Sequence, residues 1–260
     1  MFNIFRKSLV DILPQVRGKY QKNVSLSKHT WFGVPGVVIK LDSPAFRRIT
    51  VDGDQITCGA GVKNSELKKI MLEKGLGGLE FLCSIPGVIG GSVKTNAGCF
   101  GQEVKDVIIR AEIINGRGEI ETIGVNDLLL SYRSSYFPDD WIILSLTLQT
   151  HPDAPETIKK KLDEQKAYRL KSQPCNARTG GSTFKNPEGL KAWELIKKSG
   201  CADLRVGGAK VSDIHCNFLI NTGNATARDI ETLGETIIQR VKQTTSITLE
   251  WEIKRLGIQK

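Results

Sequence analysis

Apolar and polar residues alternate in some stretches of this chain and recur at helical spacing in others. Residues 37–41 (VVIKL) read as a short buried strand. Residues 49–59 (ITVDGDQITCG) read as a hairpin, with Asp52-Gly53 turning between β-branched runs. Spacing switches to helical over 65–74, where Leu67, Ile70 and Met71 share a face and Gly75 stands where a C-terminal glycine belongs. Residues 107–115 and 119–123 predict two strands around Gly116-Arg117-Gly118, and 141–150 (WIILSLTLQT) a further strong strand. Two prolines within His151-Pro152-Asp153-Ala154-Pro155 mark a linker or boundary. Beyond it come a charged helix over 156–170, a glycine-rich turn over 178–189, a short helix over 193–199 closed by Gly200, and a strand over 217–221. Residues 226–241 predict an amphipathic helix with Ile230, Leu233, Ile237 and Val241 on one face, and Thr226 with Asp229 as its capping box. Residues 248–256 read as a last strand, with Glu250 and Glu252 on one face and Leu249, Trp251 and Ile253 on the other. Strands dominate the first part and mixed elements fill 155–245, so the expected class is α+β and not the βαβ alternation of a doubly wound sheet.

Length and composition narrow the classes. A chain of 260 residues holds one large domain or two small ones. Its 40% hydrophobic and 25% charged residues are ordinary for a globular protein, which excludes a disordered tail, a fibre and a small disulfide scaffold. It lacks an apolar run of about 18 residues, so no membrane insertion is expected. Arg6, Lys7 and Asp11 interrupt the apolar residues of 1–13, and no small-residue cleavage site follows. The expected location is therefore cytoplasmic. The net charge of +9 favours anionic partners. Its densest cluster, Lys159-Lys160-Lys161, reads as the exposed face of a helix. No aromatic-interleaved basic motif suggests RNA, so no nucleic-acid partner is expected. Cys58, Cys83, Cys99, Cys175, Cys201 and Cys216 contain no C-x-x-C pair, and only three histidines accompany them. They read as reduced, mostly buried cysteines, with no metal site.

Four segments could carry chemistry. Residues 84–101 (SIPGVIGGSVKTNAGCFG) contain five glycines and break both periodicities. Glycine permits positive φ and close approach of a ligand, and successive N–H groups can cradle a phosphate or a ring edge. A purely structural turn is the alternative. The segment matches neither G-x-G-x-x-G nor a Walker loop, and Gly59-Ala60-Gly61 is a weak lone G-x-G. In Arg178–Pro187, written RTGGSTFKNP, Ser182 follows two glycines and precedes Lys185 and Asn186. Its hydroxyl could face a ligand or merely form a turn, and the pattern is not G-x-S-x-G. Tyr132-Arg133 could hold an anion or a surface ion pair. Glu252 could act in a site or be solvated.

Taken together, these segments resemble the UDP-N-acetylenolpyruvoylglucosamine reductase family (UDP-N-acetylmuramate dehydrogenases) in its shorter form. The matching strings run in family order: HTWF (29–32), GVPGVVIKL (33–41), GLEFLCSIPGVIGGSVKTNAGCFG (78–101), YRSS (132–135), GGSTFKNPEG (180–189), WELIKKSG (193–200), GGAKVSDIHCNFLIN (207–221) and LEWEIKRLG (249–257). The resemblance implies a truncated FAD-binding domain of the PCMH/vanillyl-alcohol-oxidase type over 20–152. A C-terminal α+β substrate domain over 153–247 would follow, and 248–260 would bring Glu252 to the site. It implies reduction of a UDP-sugar enolpyruvyl group to a lactyl ether, with NADPH as co-substrate and FAD as cofactor, by a monomer engaged in peptidoglycan precursor synthesis. By resemblance Ser182 is the proton donor, and Arg133 and Glu252 are the other catalytic residues. Pro86, Gly87, Gly90, Gly91, Asn96, Ala97, Gly98 and Gly101 then line the cofactor, and Tyr132, Lys185 and Asn186 contact substrate.

The chain departs from the family pattern at one place. Phe32 runs straight into Gly33, where the family has several tens of residues that include a glycine loop for the FAD pyrophosphate. The first lobe of the FAD domain is thus expected to be largely missing at 32/33. Gly59-Ala60-Gly61-Val62 is the nearest string to the lost loop but matches a different family segment. A lesser departure is Phe100, where the family more often has tyrosine. The alternative expectation is a UDP-sugar-binding homologue that lost its flavin along with the loop.

Overall fold

A computed structural model describes residues 3–5, 37–39, 41, 43–138 and 140–255. The HTWF string and the Phe32–Gly33 junction lie outside the described residues. By its contacts the chain divides into two compact units, Met1–Lys166 with Gly257–Lys260, and Ala167–Leu256.

In the first unit, β1 (Asn3–Phe5) pairs with β2 (Val37–Ile39). A five-stranded antiparallel sheet has the order β3-β4-β10-β8-β9, built from β3 (Ile49–Asp52), β4 (Gln55–Gly59), β8 (Ile108–Ile114), β9 (Ile120–Gly124) and β10 (Ile142–Gln149). The central β10 buries Ile142, Ile143, Leu144, Leu146 and Leu148, so it is covered on both faces and lacks the alternation of a half-exposed strand. The β3–β4 hairpin turns one residue later than the sequence suggested. Asp52 pairs with Gln55, and Gly53 at φ 57 is the first residue of the two-residue loop, a position that suits glycine. Helix α1 (Leu67–Lys74) buries Leu67 and Met71 and ends on Gly75 at φ 64, as its sequence predicts.

Three expectations for this unit need correction. The glycine-rich stretch is not all loop: α2 (Glu80–Cys83) precedes it, and Ile89–Lys94 within it forms α3. Two glycines cost a helix about 1 kcal/mol each. Burial of Ile89 and Val93 and the close seat of Gly90 against Ala60 hold α3 instead. Residues 151–155 are not a free linker. His151–Pro152 forms β11, paired with β5 (Leu76–Gly77), before α4 (Pro155–Ser172) begins. Finally, the lysine cluster is only partly a solvated face. Lys161 turns inward, 2.8 Å from Asp153 and 3.7 Å from the buried carboxylate of Glu80. Its hydrogen bond holds the Asp153 carboxyl below the usual range.

The second unit is a four-stranded antiparallel sheet, order β12-β15-β14-β13, formed by β12 (Arg178–Ser182), β13 (Arg205–Val206), β14 (Ala209–Val211) and β15 (Phe218–Asn221). Its core gathers Phe184, Ile196, Val211 and Leu219 with Leu233, Ile237 and Val241 of α6 (Ala227–Thr245), and α5 (Ala192–Lys198) contributes Leu195. The capping box of α6 forms as expected. Asp229 N–H donates to Thr226 Oγ1 at 3.1 Å, and Thr226 N–H donates to Asp229 at 2.9 Å. Two readings are corrected here. Residues 178–182 form an edge strand and not a turn. The described part of 248–256 makes a single bridge, Phe184 to Trp251, and not a strand. Its partner segment is too short for a ladder, since Gly181 at φ 90 bends one end and Pro187, without an N–H, closes the other. Both units mix helix and sheet, in agreement with the α+β expectation.

Candidate functional site

In the first unit the glycine segment folds back on the sheet. Asn64 is fully buried and clamps it, donating from its amide to Ile85 O at 3.0 Å and Ser92 Oγ at 2.8 Å. Gly90 N–H donates to Ala60 O at 3.0 Å and Gly91 N–H to Val88 O at 2.9 Å. These two glycines therefore serve close packing and the helix start, and their amides are committed to the protein. Pro86 and Gly87 are exposed, with Gly87 at φ 131. Gly98 pairs with Glu103 in the short hairpin of β6 (Gly98–Cys99) and β7 (Gln102–Glu103), and Gly101 turns it at φ 81. A side chain at Gly87 or Gly101 would meet open space, so a ligand can approach both backbones. Ala97 is buried, its carbonyl accepting from Val104 N–H at 3.0 Å. The amides of Gly59, Ala60, Gly61 and Val62 donate to Arg48, Leu144, Phe46 and Gly59 carbonyls at 2.9–3.0 Å, so this string does not replace a phosphate loop.

Tyr132 and Arg133 lie on a tight turn beside that hairpin. Ser131 and Ser134 exchange two backbone hydrogen bonds of 3.0 Å, and Arg133 between them sits at φ 53. Its guanidinium donates to Gly98 O at 3.2 Å and lies 5.0 Å from the Tyr132 ring centre. The side chains of Phe100 in that hairpin and of Leu129, Tyr132 and Tyr136 in and around the turn are exposed. Burial pushes the Cys58 and Cys83 thiols up to about 12, so neither is a nucleophile.

In the second unit, Ser182 ends β12 opposite Phe218, half-buried, after an irregularity in the ladder at Gly180-Gly181. Thr183 N–H donates to Asn217 O at 2.7 Å, and Glu252 N–H donates to Thr183 O at 2.8 Å. The fold thus brings Glu252, 70 positions away in sequence, alongside the backbone next to Ser182. The bridge is anchored on Trp251, whose ring lies 5.1 Å from Phe184 and whose Nε1 donates to Glu235 at 3.0 Å. Lys185 pairs with Glu250 at 3.2 Å, and Asn186 Oδ1 accepts Ala192 N–H at 3.0 Å at the start of α5. Ser182, Glu252, Lys185 and Asn186 belong to this unit, whereas Arg133, Tyr132 and the glycine segment belong to the other.

Sequence reasoning missed Asn64 and Asn217. Asn217 is buried and satisfies both backbone groups of Phe184, receiving its N–H at 2.9 Å and donating to its carbonyl at 2.8 Å. Neither residue has a local signal, because the groups that each one satisfies are more than 20 residues away in the chain.

Residues 173–256 match the family model of the UDP-N-acetylenolpyruvoylglucosamine reductase C-terminal domain, and residues 16–124 match that of an FAD-binding domain. The UDP-N-acetylenolpyruvoylglucosamine reductase of Paramagnetospirillum magneticum is 50% identical over 228 residues, covering 88% of this chain and 74% of that protein. That of Rhodospirillum rubrum is 39% identical over 300 aligned positions, covering 96% of this chain and 94% of that protein. Since 96% of 260 is about 250 residues, about 50 of those positions have no residue here, which agrees with an internal deletion. The crystal structure of the Thermus caldophilus reductase aligns with a TM-score of 0.72 at 32% identity, covering 82% of this chain and 75% of that one.

Proposed function

The chain belongs to the UDP-N-acetylenolpyruvoylglucosamine reductase family, and from that membership we propose how its residues divide the work. The activity is that of an FAD-dependent oxidoreductase: reduction of UDP-N-acetylglucosamine enolpyruvate to UDP-N-acetylmuramate in peptidoglycan synthesis. Its first unit carries the PCMH-type FAD-binding domain, which we read as truncated. The donor set there fits part of the cofactor. Open backbone at Gly87 and Gly101 and the exposed rings of Phe100 and Tyr132 suit a flat heteroaromatic ring. Among the described residues the Gly59–Val62 amides are committed elsewhere, so they offer the pyrophosphate no cradle. FAD, when bound, supplies the hydride that the enolpyruvyl double bond accepts, and NADPH is our proposed source of it.

The chain's own residues handle the charge and the proton. Hydride addition leaves negative charge at C2, delocalised into the substrate carboxylate. Arg133, with its guanidinium oriented by Gly98 O and the Tyr132 ring, stabilises that charge. The Ser182 hydroxyl delivers the proton to C2. Glu252 orients the substrate carboxylate's environment and stabilises the enolic form. Tyr132, Lys185 and Asn186 contact the UDP-sugar. The Lys185–Glu250 pair is solvent-exposed and therefore weak, so Lys185 can exchange that partner for a ligand phosphate. Among the described residues no helix is long and apolar enough to cross a membrane. None of the six cysteines is in a disulfide, which supports the reducing cytoplasm as its location.

The observation that carries this reading is the bond from Glu252 N–H to Thr183 O, which sets Glu252 beside Ser182. The test separates the half-reactions. In Ser182→Ala, NADPH still bleaches the flavin absorbance at the wild-type rate, while formation of UDP-N-acetylmuramate falls by about 100-fold or more, within the range of general acid catalysis. Loss of flavin reduction in this variant would sink the proposed role.

A further inference from the structure

We propose that Asn96 is a positioning residue for Arg133. Resemblance had placed Asn96 among the cofactor contacts, but its side chain is fully buried and every polar atom of its carboxamide is in use. Its Nδ2 donates to Ser131 O at 2.9 Å and to Glu103 Oε2 at 3.0 Å, and its Oδ1 accepts Lys105 N–H at 2.9 Å. These bonds join the end of α3, the β6–β7 hairpin and the 131–134 turn. Both ends of the arrangement adopt left-handed backbone, φ 40 at Asn96 and φ 53 at Arg133. Such conformations persist only where surrounding bonds fix them, and asparagine tolerates them better than most residues.

The consequence for Arg133 is geometric. Ser131 O, held by Asn96, opens the turn whose third residue is Arg133. Gly98 O, which receives the guanidinium at 3.2 Å, lies two residues after Asn96. One buried amide thus fixes the turn that carries the arginine and sits in the same hairpin as the carbonyl that aims it. A guanidinium held in this way meets a carboxylate with little reorganisation. Asn96 touches neither substrate nor flavin in this scheme. It acts through Arg133.

The inference rests on the proposed role of Arg133, and the test keeps the two apart. The measured quantity is the ratio of affinities for UDP-N-acetylglucosamine enolpyruvate and for UDP-N-acetylglucosamine, which lacks the carboxylate. Calorimetric titration gives both, whether or not the protein turns over. Asn96→Asp keeps the shape and the tolerance for left-handed backbone. However, it replaces the donor to Ser131 O by an acceptor and faces a carboxylate toward Glu103. The ratio should fall by roughly tenfold, the scale of one hydrogen bond to a charged group. Arg133→Ala should remove the ratio, and the double variant should match Arg133→Ala alone. Equal weakening of both ligands, or an independent loss in the double variant, would overturn the role of Asn96. An unchanged ratio in Arg133→Ala would instead overturn the reading of Arg133. Asn96→Ser, a smaller change, serves as the second variant should the aspartate not fold, as judged by thermal unfolding.

Discussion

Among the described residues, three buried asparagines bond backbone that is distant in the chain, and these ties are invisible to periodicity. Asn64, Asn96 and Asn217 each bond a backbone group more than 20 residues away in the chain. The candidate residues on display in the sequence were those with local pattern, Ser182 after two glycines and Arg133 beside a tyrosine. What could not be read there was which side chains hold them in place. His215 illustrates the same scale. Its ring packs 4.9 Å from Phe218, and its Nδ1 accepts Asn217 N–H at 3.2 Å. Burial pulls its pKa below the usual value. The unfolded chain then binds a proton more readily than the folded one. Stability from this residue is complete above the ordinary histidine value of about 6.5 and falls as pH drops from there toward the folded value. Asn in place of His215 keeps an acceptor for Asn217 N–H but does not titrate. The drop in melting temperature from about pH 7.5 to about pH 5.5 should be smaller in His215→Asn than in the wild type. An equal drop would assign the acid sensitivity to other groups.

At the level of elements, legibility followed the amount of local chemistry. The capping box and apolar stripe of α6, the left-handed glycine closing α1 and the β3–β4 hairpin were all readable, because caps, stripes and turns are fixed by residues within a few positions. Helix α3 was hidden because its formation depends on burial against Ala60 and Val62, not on propensity. The alternation of 248–256 pointed to a strand, but a strand also needs a partner of matching length, and here only Thr183–Lys185 lies alongside. The element that compensates is α6, whose Gly234 lets the Trp251 ring lie against the helix backbone. A Cβ at Gly234 would come 2.5 Å from Trp251 Cζ2 and meet other ring atoms as well. Alanine in place of glycine within a helix ordinarily gains about 1 kcal/mol. Gly234→Ala should reverse that sign and destabilise the protein by about 1–3 kcal/mol, the usual range for overpacking. Because Trp251 adjoins Glu252, turnover should fall with it. Denaturant unfolding that shows equal or greater stability would mean that Trp251 moves aside without cost.

For the molecule as a whole, the two units carry separate cores, and the catalytic candidates are shared between them. The candidate residues belong to both units, and the sequence offers them as four separate segments, related only by resemblance to a family. About 50 positions of the alignment with the Rhodospirillum rubrum relative have no residue here, and by resemblance the gap is expected at Phe32–Gly33, where the pyrophosphate loop would lie. Backbone amides around a pyrophosphate supply much of the affinity for a dinucleotide. In the proposed reading the 86–101 segment faces the flavin ring, a part that FAD and FMN share. The chain should therefore bind both flavins and distinguish them poorly, with dissociation constants within about tenfold of each other, or about 1.4 kcal/mol. Titration of the purified protein, followed by the visible absorbance of the bound flavin, measures both constants. A preference for FAD of 100-fold or more would mean that a segment other than Gly59–Val62 grips the pyrophosphate. Because the amides of that string all donate to protein carbonyls, the search would then turn to the chain before Val37.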